Sequence, residues 1–146
     1  IAMIRTTLIA TALMLAAGAA QAAPINAAAD VAQRLQAAGY TQIHEIERED
    51  GMWEADVTGA DGRLSEILLD PRTGELFDEH DGRAVLSAEQ VLAKAASHGL
   101  RQVHDLERDG ATWTLEARNA QNQAVEVRLS GIDGRILHSE REYWWD

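Results

Sequence analysis

The sequence predicts an α+β fold made of two tandem units, each a helix packed on one face of an antiparallel sheet in the order α-β-β-β(-β). Two observations support this prediction: an internal repeat, and a change of hydrophobic period inside each copy. Ten of the forty residues from 39 to 78 recur identically sixty positions later, without a gap. A repeat of this length indicates one copied supersecondary unit, so a single interpretation applies to both copies.

Each copy opens with a segment of helical period that ends at a glycine. In the second copy, Ser87 followed three residues later by Gln90 predicts a capping box, and Gly99 is a typical residue just after a helix. In the first copy, Asn26 stands near the expected cap and Gly39 closes the segment. We therefore expect two short amphipathic helices whose buried sides are rich in alanine.

After each glycine the period changes from helical to alternating, which is typical of strands with one buried face. Trp53 and Val57 alternate with polar residues, and Trp113 begins the same pattern in the second copy. We expect the tryptophan side to pack against the helix and the opposite side to face water. Turns at 70–74 and 131–134 then lead into a short last strand in each copy.

Composition limits the class of protein. The chain has 146 residues, no cysteine and a formal net charge of −11. Residues 1–22 combine a basic start, an apolar run and a small-residue cleavage site, which predicts a signal peptide. We accordingly expect two units at 23–84 and 85–146, a periplasmic or secreted location, and no stable membrane insertion after signal cleavage. Without disulfides, the two units must stabilise each other through a shared apolar core.

The acidic charge bears on the class of partner. After Arg5 is removed with the signal peptide, 24 acidic residues stand against 12 basic ones. This balance argues against nucleic acid and anionic lipid as partners and is compatible with basic proteins or cations. Its ordinary interpretation is the solubility of an exported protein.

The sequence resembles the PepSY domain, the module of peptidase propeptides and of many small exported bacterial proteins. The likeness rests on the helix ending at Gly39-Tyr40, the segments 43–47 and 53–57, and above all the turn at 70–76. It extends over both copies, although the second departs at 131–134. The resemblance implies a non-catalytic module that inhibits or regulates an extracytoplasmic peptidase or a sensor protein. In architecture, the tandem is also similar to β-lactamase inhibitory proteins.

No catalytic motif is evident in the chain. Cysteine is absent, and there is no Gly-x-Ser-x-Gly elbow, no phosphate-binding glycine loop and no His-Glu-x-x-His helix. We therefore expect that the protein is not an enzyme and uses no cofactor.

Alternation in the first copy predicts carboxylates on the water-facing side of the sheet, which we call the acidic face: Glu45, Glu47, Glu54, Asp56 and Glu66. Such a face is a platform for a basic protein partner or for divalent cations. The alternative is an ordinary solvated surface whose charge is relieved by Arg48 and Arg63. In the second copy, Arg118 and Arg128 alternate with acidic residues, so we expect balanced charge there.

Two further groups of residues are candidates for binding. The aromatic residues near the C-terminus either anchor a protein partner or extend the last strand over the core: Tyr143, Trp144 and Trp145. In the alternative function, low-affinity binding of divalent metal, the carboxylates act together with His44 or His80. Duplication alone also explains His44, because His104 occupies the same position of the repeat.

Overall fold

The computed structural model describes residues 23–143, which form two helices and eight strands. The first unit contains α1 Ala28–Ala37, β1 Gln42–Glu49, β2 Met52–Thr58, β3 Leu64–Leu69 and β4 Leu76–Phe77. The second unit contains α2 Ala88–Ser97, β5 Arg101–Asp109, β6 Thr112–Arg118, β7 Ala124–Ser130 and β8 Ile136–Arg141. The predicted α+β fold with two helix-and-sheet units is confirmed. The signal peptide predicted at 1–22 lies outside the described residues.

Both sheets are antiparallel and their strands pair in chain order, β1-β2-β3-β4 and β5-β6-β7-β8. Within residues 23–143, no strand pairing joins one sheet to the other. The two copies differ at their last strands, because β8 has six residues and β4 has two. The short connections keep successive strands adjacent within each unit.

The helices begin and end for local reasons, and one detail differs from the prediction. In the capping box of α2, Gln90 N donates to Ser87 Oγ over 3.2 Å, and Ser87 N donates to Gln90 Oε1 over 2.9 Å. Gly99 follows α2 with a φ of 79°, a left-handed conformation that glycine adopts without strain. Asn26 is not the cap of α1, because Ala27 occupies that position without a side-chain hydrogen bond.

The two tryptophans occupy matching positions between helix and sheet. Trp53 and Trp113 are each 9% exposed. Trp53 Nε1 donates to Ile25 O over 2.9 Å, and Trp113 Nε1 donates to Leu86 O over 3.1 Å. Both carbonyls belong to the segment that precedes the helix, so each indole ties this segment to its sheet. The apolar residues around each tryptophan form one core per unit.

The sheet side opposite α1 does not face water along its whole length, which corrects the expectation from alternation. At one end, three apolar residues of the first unit are buried against two of the second. We call this set the junction cluster: Met52, Leu68, Phe77, Ala111 and Leu137. Alternation identifies the side on which Met52 lies, but only the contact between units covers it. The two units therefore share an apolar core.

Arg128 forms the polar part of this junction. Its side chain is 8% exposed and lies 2.7 Å from Asp109 Oδ2 and 3.5 Å from Asp50 Oδ2. Asp50 belongs to the turn between β1 and β2, so the second contact links the two units. At the neighbouring Gly51, a Cβ atom would lie 2.1 Å from the Nδ1 atom of His138. The turn of the first unit therefore lies directly against the second sheet.

The turn at 130–134 keeps the geometry of its counterpart although its sequence differs. Asp70 Oδ1 accepts a hydrogen bond from Arg72 N over 2.9 Å. Ser130 occupies the equivalent position, and its Oγ accepts from Ile132 N over 3.1 Å. A side-chain oxygen thus holds the first residues of both turns. For this reason the departure from the PepSY-like pattern leaves the local fold unchanged.

Candidate functional site

The strand register places all five carboxylates of the acidic face on one side of the first sheet. Glu45 pairs with Asp56 and Asp56 with Glu66, which forms a row across three strands. Glu47 pairs with Glu54 in a neighbouring row. Paired residues of antiparallel strands project to the same side. This side lies opposite α1, because the residues that alternate with these acids belong to the core beneath the helix.

Basic residues do not neutralise the acidic face within the described part of the chain. Arg48 lies over the Trp53 ring on the helix side of the sheet, with Cζ 5.3 Å from the ring centroid. Arg63 instead contacts Asp61 at 3.9 Å in the turn between β2 and β3. The ion pairs found among residues 23–143 include none of the five carboxylates. The alternative in which Arg48 and Arg63 relieve this charge is therefore wrong.

Burial and the crowding of like charges change the acidity of Glu54. Burial is the largest cause, followed by a hydrogen bond with Glu49 and by the charges of nearby carboxylates. Together they raise the pKa of Glu54 from 4.5 to about 8. Burial and the charge of Asp109 also raise the pKa of Glu66. Because Asp109 belongs to the second unit, the negative field extends across the junction.

A groove of about 590 Å³ crosses the corresponding side of the second sheet, and its lining is mostly acidic. Asp50 of the first unit and Glu107, Glu116 and Glu126 of the second contribute to it. Burial, followed by the charges of Asp50 and nearby glutamates, raises the pKa of Glu126. Arg128 is buried and paired in the junction. Arg108 and Arg128 also line the groove, so six acidic residues stand against two arginines and the charge is less balanced than we expected.

Sequence reasoning did not identify this groove as a candidate site. Its signal was present in the repeat, since Glu116 and Glu126 occupy the positions of Asp56 and Glu66. We treated the neighbouring arginines as compensation, but Arg118 Nη1 donates to a backbone carbonyl in the next turn over 2.8 Å. Counting charges along the strand could not show which arginines have other partners.

Tyr143 lies apart from the acidic face. It follows β8, the edge strand of the second sheet, and is 77% exposed. Arg141 lies over its ring, with Cζ 5.3 Å from the centroid. Tyr143 thus does not cover the core, which was one of its two predicted roles. Trp144 and Trp145 lie outside the described residues.

The structure does not gather ligands around the two histidines considered for metal binding. His44 Nε2 is 2.7 Å from Thr58 Oγ1, and His80 Nδ1 is 3.6 Å from Asp78 Oδ1. Among the described residues, neither histidine belongs to a group of three ligand atoms within 4.8 Å of one another. One such group does contain a histidine, and it lies in the second unit.

Comparison with known families now adds to this geometry. Residues 6–80 match the family described as peptidase propeptide and YPEB domain, PepSY_2, which is just over half of the chain. The chain belongs to this PepSY family. PepSY domains are propeptide-like or inhibitor-like regulatory modules, generally non-catalytic and typically extracytoplasmic. No curated protein matches the chain.

The PepSY match includes α1 to β4 and therefore the whole acidic face. The second unit lies beyond the matched residues, and it has the same order of a helix followed by four strands as the first unit. In residues 23–143, we find no helix with the length and apolar character needed to cross a membrane.

Proposed function

We propose that the protein is an exported tandem PepSY module, not an enzyme, that acts by binding another protein. The partner is an extracytoplasmic peptidase or the outer part of a sensor, which the module inhibits or regulates. A signal peptide at 1–22 directs export to the periplasm or beyond, and the PepSY-type units occupy 23–84 and 85–146. The acidic face is the main contact surface, and the aromatic C-terminus is a second one: Tyr143, Trp144 and Trp145.

The uncompensated charge of the acidic face supports this proposal. Arg48 and Arg63 contact other groups, so the carboxylates repel one another without relief. Burying Glu54, and holding it beside Glu49 and Glu66, opposes folding, as the raised pKa of Glu54 indicates. Groups with strongly perturbed pKa values, kept at a cost in stability, are typical of functional sites. A lysine or arginine of a partner would relieve this repulsion on binding.

The shape of the acidic face suits a protein better than a small molecule. Its carboxylates lie in rows on neighbouring strands, which are about 4.8 Å apart. Small ligands favour concave pockets with mainly apolar linings, whereas this surface is an open sheet. Membership of a family named for peptidase propeptides favours a peptidase as the partner.

Charge reversal tests the proposed contact surface. We expect the double variant E54K/D56K to lose capture of its partner from a periplasmic extract. The purified partner should then bind this variant at least about tenfold more weakly, because like charges now meet across the interface. The matched control is D30K/E89K, which changes the net charge equally in the first turns of α1 and α2. Circular dichroism establishes that both variants are folded.

The outcomes of this experiment separate the possibilities. If E54K/D56K and D30K/E89K capture the partner equally well, the acidic face is not the contact surface. If both variants lose the partner to the same extent, the loss comes from the change in net charge and not from this site. Deletion of residues 143–146 tests the aromatic contact independently of the acidic face. Adding the protein to the captured partner, and measuring peptide hydrolysis, distinguishes inhibition of a peptidase from binding to a sensor.

A further inference from the structure

A histidine and two carboxylates converge on the second sheet. His104 Nδ1 lies 2.8 Å from Asp105 Oδ2 and 3.5 Å from Glu116 Oε2. The three ligand atoms all lie within 4.8 Å of one another. Ligands of a tetrahedral zinc ion are about 3.3 Å apart, since each lies about 2.0–2.1 Å from the metal. Small side-chain rotations are therefore enough to reach that spacing.

The backbone of β5 is bent around this group. Its register against β6 shifts on both sides of His104 and leaves His104 opposite Glu116. Gln102 and Asp105 take φ values of 51° and 48°. This conformation costs a residue with a side chain roughly 1–2 kcal/mol. Bulges of this kind redirect side chains, and here Asp105 meets the imidazole of the residue before it.

Glu116 provides a further indication of a ligand. Its Oε2 atom is shielded from solvent and accepts no hydrogen bond from the described residues, and His104 Nδ1 at 3.5 Å is too far for a good one. A shielded carboxylate oxygen is unfavourable unless a donor or a cation contacts it. A cavity of about 160 Å³, lined by Glu116, His104 and Glu142 among others, lies beside it. This volume accommodates a cation together with water ligands.

The first unit has the same residue types at the same repeat positions but does not assemble them. His44, Glu45 and Asp56 correspond to the three residues above. His44 Nε2 instead lies 2.7 Å from Thr58 Oγ1. The counterpart of Thr58 is Arg118, whose guanidinium is a donor only and cannot accept a hydrogen bond from His104. Both units therefore have one histidine and two carboxylates at these positions, but only the second unit brings them together.

We propose that His104, Asp105 and Glu116 bind one Zn²⁺ ion, with water completing a four-coordinate shell. One imidazole nitrogen and two carboxylate oxygens suit zinc, whereas Ca²⁺ takes roughly six to eight oxygen ligands and Mg²⁺ prefers an octahedral oxygen shell. His104 Nδ1 is the ligand atom, and the ion takes the place of the hydrogen between Nδ1 and Asp105. This site does not depend on the proposed contact surface of the first unit.

Calorimetric titration of the full chain with ZnCl₂ tests the site. We expect one Zn²⁺ per chain, and no loss of binding in excess Ca²⁺, which competes only at oxygen-rich surface sites. Loss of an outer-shell partner alone weakens metal sites about 10–100-fold. Both H104A and E116Q, which remove direct ligands, should weaken binding by on the order of 100-fold or more. H44A is the matched control and should bind Zn²⁺ like the unsubstituted chain.

A second measurement needs no variant. Zn²⁺ should shift the imidazole nitrogen resonances of His104 in the NMR spectrum and leave those of His44 unchanged. The proposal is overturned if Zn²⁺ does not bind at millimolar concentration, or if H44A weakens binding as much as H104A. It is equally overturned if binding survives both H104A and E116Q, or if the His104 resonances do not move.

Discussion

Replacing Glu54 with glutamine should stabilise the protein at neutral and alkaline pH. Glu54 is partly buried, bonded to Glu49 and close to the charges of Glu66 and Glu47, and its pKa is about 8. In the unfolded chain the same carboxyl ionises near its ordinary value of 4.5. Above that pH, folding therefore requires Glu54 either to take up a proton or to hold its charge in unfavourable surroundings. Glutamine keeps the shape of the side chain and removes this requirement.

The raised pKa determines the direction of the pH dependence. Below pH 4.5, Glu54 is protonated in both states and does not oppose folding. Between 4.5 and about 8 only the unfolded state releases the proton, so the free energy of unfolding falls as the pH rises. One pH unit corresponds to about 1.4 kcal/mol, so a fully shielded group would lose on the order of 5 kcal/mol over this interval. Solvent screens the half-buried Glu54, and we therefore expect about 2 kcal/mol.

Urea unfolding followed by tryptophan fluorescence, between about pH 5 and pH 9, measures this effect. We expect E54Q to exceed the unsubstituted chain by about 2 kcal/mol at the alkaline end and by much less near pH 5. E45Q is the matched control, because Glu45 is an exposed carboxylate of the same face and should change stability by less than about 0.5 kcal/mol. A difference between E54Q and the unsubstituted chain that does not vary with pH would refute this reasoning. An equal gain from E45Q would refute it as well.

Three further predictions concern packing and capping, and urea unfolding measures each of them. Met52→Ala empties part of the junction cluster and should lower the free energy of unfolding by about 2–5 kcal/mol while keeping one transition; two separate transitions would contradict a core shared by the units. Arg128→Ala removes the link to Asp50 and should lower the free energy of unfolding by about 2 kcal/mol. An unchanged midpoint of the urea transition would show that this ion pair does not stabilise the junction. Ser87→Ala should lower the free energy of unfolding by about 1 kcal/mol. Ala27→Ser adds the side-chain cap that α1 lacks and should raise the free energy of unfolding by a similar amount. Shifts of the same sign in the two variants would contradict the capping argument.

The features that the sequence predicted correctly depend on neighbours within a few residues. The capping box at Ser87 and the left-handed Gly99 follow from local hydrogen bonding and from the freedom of glycine. The side of the sheet on which Trp53 and Glu54 lie follows from the two-residue period of a strand. Repetition strengthened the inferences about Gly99 and Trp53, because both residues have counterparts sixty positions away, whereas the capping box stands in the second copy alone.

The candidate sites were predicted less completely, since they depend on contacts between distant residues. Alternation grouped the acidic face, but it could not show that Arg48 lies over Trp53 and leaves the carboxylates uncompensated. It likewise assigned Arg128 to a balanced surface, although this side chain is buried in the junction. The same limit applies to His104, which shares its repeat position with His44 but not its surroundings.

The sequence by itself determined the repeated unit, the order of helix and strands, and the side of the sheet that each side chain occupies. Backbone preferences and hydrophobic period specify these features locally. Only the tertiary structure decided how the two units meet, with Met52 and Phe77 covered by the second unit and Asp50 placed at Arg128. It also decided that the second unit, and not the first, brings a histidine and two carboxylates together. Such contacts join residues far apart in the chain, and their energies depend on burial and on partners that no local pattern encodes.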